Sequence, residues 1–494
     1  PPMTTGEIWV ALVLAVDVAF RVIALVIVPR NRRPQTAMAW LLAIFFIPYF
    51  GFIAFLAFGS RRLPKKRREK QQAINGLLRA RSSLLSPGIV VTPEDIAERP
   101  EYPRWLAQTV RMNEKLGAMP MVAGNTLSLL PEYHSSLAAM AAAIRAARTR
   151  VHVEFYIMSF DEDTQDFFAA LAETRQRGVE VRVLFDHLAS LRITGYKDLV
   201  AELNRINVPF RAMLPLQPWR GVYQRPDLRN HRKLLIVDST IAFTGSQNII
   251  EPHYRNKRHK ERGLTWLDLM VRVEGPLADG LEALFVADWY QETDELLETP
   301  KPERAAGLES PSLWGQVVPS GPAFEGENNL RLFNSLVYGA RERLILTSPY
   351  FVPDESMRYA ITTAAERGVD VNIMVSEIAD QNLVFYAQRS YYDELLKSGA
   401  KIWLYQKPTI LHSKFIVVDD AMSVIGSSNI DMRSFSLNLE VSVLCASPQV
   451  VKQLTELFET YRENSISLTL DKWRSRALPQ RFIEGLARLS ATVQ

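Results

Sequence analysis

The segment His231-Arg-Lys233-Leu-Leu-Ile-Val-Asp238 recurs as His412-Ser-Lys414-Phe-Ile-Val-Val-Asp419. Each copy is followed, at the same distance, by Gly-Ser-x-Asn: Gly245-Ser246-Gln247-Asn248 and Gly426-Ser427-Ser428-Asn429. One HxKx4D match in a chain of 494 residues is roughly a one-in-a-hundred accident at average residue frequencies. Two matches with the same trailing motif mean that the chain folds twice into the same unit.

The flanking pattern agrees. Pro131 to Arg150 is Ala-rich and helical and leads into a strand from Val151; Asp166 to Gln176 is a helix stopped at Arg177-Gly178, and a strand follows from Val179. The second half repeats the order with a strand from Leu344, a helix from Glu355 to Glu366, a stop at Arg367-Gly368 and a strand from Val369. Glycine at each stop fits a helix C-cap. Such alternation predicts an α/β fold of two duplicated α-β-α lobes, with a largely parallel sheet covered by helices. We place the lobes at residues 121–300 and 315–494, separated within the Pro- and Glu-rich stretch from Glu295 to Pro322.

Side chains alternate faces along a strand, so His231 and Lys233 point the same way, as do His412 and Lys414. A lone His on an apolar strand is ordinarily a core residue, which suits His152 in the first strand, and His134 on a helix is equally unremarkable chemically. That reading fails for two His that each share a face with a Lys, because a buried unpaired Lys is expensive. Lys233, Lys414, Ser246, Asn248, Ser427 and Asn429 together suit an anionic ligand, and a phosphodiester is the natural one. One His then attacks phosphorus to form a phosphohistidine, and the other protonates the leaving alcohol. The two are expected to differ in protonation, one neutral and one cationic. Asp238 and Asp419 complete the catalytic motifs but fall on the opposite strand face, where they are expected to act structurally. Glu440 and Asp268, acids inside apolar strands that follow the two motifs, are candidates to orient the imidazoles. The chemistry needs no carboxylate cluster, so no metal and no cofactor are expected.

Two apolar stretches, Ile8 to Val28 and Ala37 to Phe58, are each long enough as one helix of about 31–33 Å to cross a bilayer. Residues 7–59 are therefore expected to form a two-helix transmembrane hairpin, with 60–120 as a basic linker and connecting segment. Asp17 and Arg21 lie four apart and are placed to pair. The joining loop carries three basic residues, whereas six lie between Arg61 and Arg68. The positive-inside rule places the catalytic lobes in the cytoplasm of a multi-pass inner-membrane protein. The basic stretch also suits anionic headgroups. The formal charge is only +4, and no aromatic-rich basic groove is evident, so no nucleic-acid partner is expected. The single cysteine, Cys445, excludes a disulfide framework and reads as a core thiol. Pro1-Pro2 is left out of fold reasoning.

The paired motifs with Gly-Ser-x-Asn resemble those of the phospholipase D superfamily, from Met121 to Ser465. The hairpin, Arg229-Asn230-His231-Arg232-Lys233, and the run from Asn429 through Asp431, Arg433, Ser434 and Asn438 to Glu440 are similar to bacterial cardiolipin synthases of the two-motif type. The resemblance implies two lobes related by a pseudo-two-fold with the site between them. It further implies His231 as nucleophile, His412 as acid/base, and Glu440 and Asp268 as orienting acids. The implied reaction makes cardiolipin and glycerol from two phosphatidylglycerol molecules. The alternatives are hydrolysis to phosphatidic acid and, in another class, a nuclease of the same superfamily. The loop Tyr254 to Arg262 is unusually basic for its position and reads as solvated. Trp219, Arg220 and Tyr223 are candidates to line an apolar approach. Trp473 to Arg488 reads equally as an interfacial amphipathic helix or as one packed on its own lobe.

Overall fold

The structure is a computed structural model that describes residues 4–30, 32, 34–59, 67–71, 73, 74, 76, 89–117, 119–217, 225–298, 313–324 and 326–489. Trp219, Arg220, Tyr223 and most of the basic stretch from Arg61 to Arg68 lie outside these residues. The chain divides into two units, a helical N-terminal one and an α/β one over Leu63–Leu489.

In the N-terminal unit the first apolar stretch is one helix, Thr5–Ile27, begun by a capping box between Thr4 and Glu7. It is long and apolar enough to cross a membrane, and Asp17 pairs with Arg21 at 2.8 Å. The second apolar stretch is not one helix, contrary to expectation. It runs as Pro34–Phe46 and Pro48–Phe58, broken at Ile47 with φ −131° and ψ 69°. The cause is local: the ring of Pro48 disfavours helical geometry in the residue before it. Ala24, Val28, Ala37, Ile44 and Phe55 pack the three helices together. Arg32 closes the unit, donating to the carbonyls of Val28 at 2.7 Å and Gly59 at 3.0 Å.

The larger unit is built on one 15-stranded sheet. In the first half the strands lie in the order Val122–Leu130, Met270–Glu274, Ile241–Gly245, Lys233–Val237, Arg150–Phe155, Glu180–Asp186, Phe210–Met213. The second half repeats this order as Leu313–Ser320, Glu440–Ala446, Met422–Gly426, Phe415–Val418, Arg343–Thr347, Asp370–Ser376, Lys401–Tyr405, and Ser465–Leu468 extends its edge. The halves join where Val122–Leu130 runs antiparallel to Leu313–Ser320. The duplication read from the motifs is therefore a duplication of topology.

The sheet is less parallel than expected. Parallel pairing is confined to three strands of each half, Arg150–Phe155, Glu180–Asp186 and Phe210–Met213 in the first and Arg343–Thr347, Asp370–Ser376 and Lys401–Tyr405 in the second, and the remaining ladders are antiparallel. Helical crossovers join those strands to one another. Each motif strand turns straight back through a tight turn at Asp238 or Asp419, and such a turn can only produce an antiparallel neighbour. The helices Tyr133–Ala146 and Gln165–Gln176 pack on the first half, and Asn328–Gly339 with Glu355–Glu366 on the second. Gly178 and Gly368 end their helices with φ of 84° and 92°, as the C-cap reading required.

Alternation along Lys233–Val237 is plain in the core. Leu235 and Val237 join one hydrophobic cluster, and Leu234 and Ile236 join another on the opposite face. His152 is a core residue, stacked on Phe285 and paired with Glu282 at 3.2 Å. Cys445 is a core thiol that burial pushes up to about 12.

Candidate active site

Each motif His is delivered by a short backbone ladder that crosses between the halves. Thr409–Leu411, leading to His412, pairs in parallel with Thr265–Leu267, which leads to Asp268. Asn230, before His231, bridges in the same sense to Leu439, before Glu440. The His231 amide donates to the Leu439 carbonyl at 2.8 Å, and the His412 amide to the Leu267 carbonyl at 2.8 Å. Each lobe therefore holds the other lobe's His beside its own acid.

The side chains complete that exchange. His231 Nδ1 lies 3.0 Å from Glu440 Oε2, and His412 Nδ1 lies 2.6 Å from Asp268 Oδ1. Burial raises both carboxyls, but the facing imidazoles and lysines outweigh it; Glu440 falls below its ordinary value and Asp268 to about 2. Both acids are thus ionised and accept, which fixes the proton on each Nδ1 and turns each Nε2 lone pair away from its carboxylate. Burial pulls both imidazoles below their ordinary value, His231 to about 4. Desolvation outweighs the facing carboxylates at both positions.

Lys233 and Lys414 fold back in the same way, donating to the carbonyls of His231 at 2.7 Å and His412 at 2.6 Å. Both are buried. Burial and the charge of Lys414 push Lys233 down to about 7, and burial takes Lys414 to about 8. Two ammonium groups that repel each other in a dry site are a poor core and a good cradle for an anion.

The Gly-Ser-x-Asn residues divide their work differently from expectation. Ser246 donates to Asp268 at 2.6 Å while its oxygen accepts from the Leu269 amide at 2.9 Å. Ser427 donates to Glu440 and accepts from the Val441 amide at 3.1 Å. A hydroxyl has one proton, so both hydroxyls are directed at the acids rather than toward a phosphate. The glycines allow the close approach this requires, because a Cβ on Gly245 or Gly426 would collide with the carbonyl of Leu269 or Val441. Asn248 accepts from the Ile157 amide at 3.2 Å and donates to the Tyr254 hydroxyl at 2.9 Å. The Asn429 side-chain oxygen is buried with no hydrogen-bond partner among the described residues.

Asp238 and Asp419 lie at the other end of the motif strands and are not part of this centre. Asp238 accepts from the amides of Arg148, Thr149 and Arg150 and from the Thr149 hydroxyl, at 2.7–2.9 Å. Asp419 accepts from the amides of Arg341, Glu342 and Arg343 at 2.8–3.2 Å. Each clamps the turn that starts the central strand of its half, and a strand of four or five residues separates it from the His. Their place in the motif is structural, which corrects their inclusion among catalytic residues.

Several participants escaped sequence reasoning. Tyr156 sets its ring edge-to-face against His231, centroids 4.8 Å apart, with Lys233 Nζ 5.3 Å from the same ring. Ser434 donates to Glu440 at 2.9 Å. Arg232 pairs with buried Asp288 and donates to the Glu440 carbonyl at 3.1 Å, tying the first motif to the acid's own strand. Asn230 donates to Glu154 at 2.8 Å, and burial with the Asp288 charge holds Glu154 well above the carboxylate range. The one available signal was position: Tyr156 follows the carboxyl end of a central strand, where open α/β sheets bind ligands. The basic loop is not wholly solvated, since the Tyr254 ring packs at a tilt of 42° against Trp266, centroids 4.5 Å apart, and its hydroxyl accepts from Asn248.

A family model described as cardiolipin synthase, phospholipase D-like domain, matches residues 140–289 and 335–462, one segment in each half of the sheet. A second, described as phospholipase D-nuclease N-terminal, matches residues 9–60. Cardiolipin synthase A of Proteus mirabilis is 33% identical over 490 residues, covering 96% of this chain and 95% of that protein. The protein of the same name from Erwinia tasmaniensis is 34% identical over 470 residues, covering 94% of each. A phosphatidylserine synthase from Haemophilus influenzae superposes with a TM-score of 0.58 at 16% identity, over 78% of this chain and 98% of that one, and so shares the fold.

Proposed function

The chain belongs to the phospholipase D-like cardiolipin synthase family, and on that premise we propose that it is a phosphatidyltransferase that makes cardiolipin and glycerol from two phosphatidylglycerol molecules. The observation that carries this reading is the exchange of acids between lobes, Glu440 to His231 and Asp268 to His412. It ties each imidazole, with the lysine of its own motif, to a buried acid of the other lobe, which supports taking the two pairs as one centre.

In the proposed sequence, His231 Nε2 attacks phosphorus of the first phosphatidylglycerol. The bond from phosphorus to the glycerol oxygen breaks, and that oxygen takes a proton from His412. The terminal hydroxyl of the second phosphatidylglycerol then gives a proton to His412 and attacks phosphorus, breaking the P–N bond and regenerating His231. Lys233, Lys414, Asn248 and Asn429 are assigned to the nonbridging oxygens. Their charge and that of the phosphate offset each other, and the phosphate raises His412 toward the protonated form the acid step needs. Ser246 and Ser427 are assigned to holding the acids. One phosphodiester replaces another, so no external energy source is required.

The helix Thr5–Ile27 supports membrane attachment. We propose that the broken stretch from Pro34 to Phe58 returns the chain to the same side and that the catalytic lobes are cytoplasmic. Purified protein incubated with phosphatidylglycerol is expected to yield cardiolipin and glycerol; phosphatidic acid as the main product would instead make it a hydrolase. With a radiolabelled donor whose p-nitrophenol leaving group needs no protonation, phosphatidyl groups are expected to remain trapped on His412→Asn and not on His231→Asn.

A further inference from the structure

The helix Leu478–Leu489 has three distinct faces. Glu484 and Ala487 are buried against the lobe, with Glu484 paired to Arg389 at 2.9 Å and also to Arg476. At 3.6 residues per turn, Leu478, Phe482, Leu486 and Leu489 fall within an arc of about 80°, with Ile483 flanking it. All five are exposed, Leu478 and Leu489 at 75% and Phe482 at 68%. Ten large apolar side chains are exposed among the described residues after Phe58, and half of them sit on this one helix. That concentration marks a surface made to be covered.

The charges around it say by what. From Leu470 to Leu489 the chain carries Lys472, Arg474, Arg476, Arg481 and Arg488 against Asp471 and Glu484; Arg476 pairs with buried Glu484, Arg474 with Asp393 at 2.8 Å and Arg488 with Glu394 at 3.8 Å, which leaves the edge net positive through Lys472 and Arg481. An apolar stripe edged by basic residues fits the interface plane of an anionic bilayer. The helix is also wired to the site. Arg389, its partner, ends the helix Asn382–Arg389; Gln388 on that helix accepts from the Phe351 amide at 2.8 Å; and Phe351–Val352 pairs with Ile430–Asp431, which directly follows Asn429.

We propose that Leu478–Leu489 is an interfacial helix that lies in the headgroup layer of an anionic bilayer and holds the catalytic unit against its substrate surface. The identity of that surface rests on the phosphatidyltransferase reading above. Cys445 is buried, so a cysteine introduced by Phe482→Cys can be labelled selectively with an environment-sensitive fluorophore. Lys452→Cys, at a side chain 78% exposed, serves as reference, and Leu486→Cys as a second reporter.

The labelled full chain is reconstituted in phosphatidylglycerol vesicles containing a nitroxide-bearing lipid. The label at 482 is expected to shift to shorter emission wavelength and to be quenched several-fold more than the label at 452. Equal quenching at the two positions overturns the proposal, and equal quenching in phosphatidylcholine vesicles overturns the anionic assignment. A blue shift in lipid-free detergent that grows with protein concentration overturns it in favour of a second copy of the chain. Because the readout is independent of turnover, quenching without transferase activity would sink the proposed reaction alone, and activity without quenching would sink this inference alone.

Discussion

Glu440 accepts a hydrogen bond from Nδ1 of His231 at 3.0 Å across a sequence separation of 209 residues, and Asp268 does the same for His412 across 144. Each half of the sheet thus supplies the acid that holds the other half's His. Neither His is oriented unless both lobes are folded and docked.

The acids are expected to separate the two chemical roles. Glu440→Gln removes the charge that fixes the tautomer of His231 and should lower kcat by on the order of 10²-fold or more. Asp268→Asn should slow reaction of phosphatidylglycerol comparably, yet still form the covalent enzyme from a donor with a p-nitrophenol leaving group, which needs no protonation. Trapped label and p-nitrophenol release in single-turnover experiments check both. Equal loss of p-nitrophenol release in the two variants would contradict the assignment.

Asp238 sits at φ 51° and Asp419 at φ 49°, conformations that Asp and Asn tolerate far better than Ala. Burial raises the Asp238 carboxyl, but its hydrogen bonds from Thr149, Arg150 and Arg148 outweigh that and hold it below its ordinary value. Asp238→Ala removes the turn clamp and adds backbone strain, for a loss of about 2–4 kcal/mol. Thermal unfolding should show the drop, while kcat per folded molecule stays within a factor of about two by this structural assignment.

Lys233 combines catalytic placement with a stability penalty. Its folded-state value, about 7, lies below its ordinary 10.5, so between those limits the unfolded chain binds more protons and stability rises with pH. Lys233→Met should flatten that rise and stabilise the free protein at pH 7 by about 1–4 kcal/mol, while abolishing transfer. Unfolding midpoints measured across pH 7 to 10 for both proteins test the sign; a parallel rise in the variant would refute the lysine as its source.

Topology can be read with a thiol probe, because Cys445 is buried. In intact spheroplasts, a membrane-impermeant maleimide should label Arg30→Cys, in the loop after the first helix, and spare Lys452→Cys until the cells are lysed. Labelling of Lys452→Cys in intact spheroplasts would place the lobes outside the cytoplasm.

Much of this architecture was legible because its signals are local. A period of two put His231 with Lys233, and His412 with Lys414, on one strand face. The repeated motif demanded two copies of one lobe, and Gly178 and Gly368 marked their helix ends. The break before Pro48 is equally local, a single residue's geometry set by the ring that follows it, inside a segment whose hydrophobic length suits one continuous helix. The mostly antiparallel sheet was harder to see, since it depends on how short the turns at Asp238 and Asp419 are rather than on the strands themselves.

The sequence by itself determined which groups the protein possesses for chemistry and which face of each strand carries them, since alternation along a strand is set by covalent geometry. Only the tertiary structure decided that each acid serves the opposite lobe's His, that Ser246 and Ser427 hold those acids, and that Tyr156 and Arg232 support the first motif. Those partners meet through strand ladders between segments far apart in the chain, and no periodicity along one segment records what another brings to it.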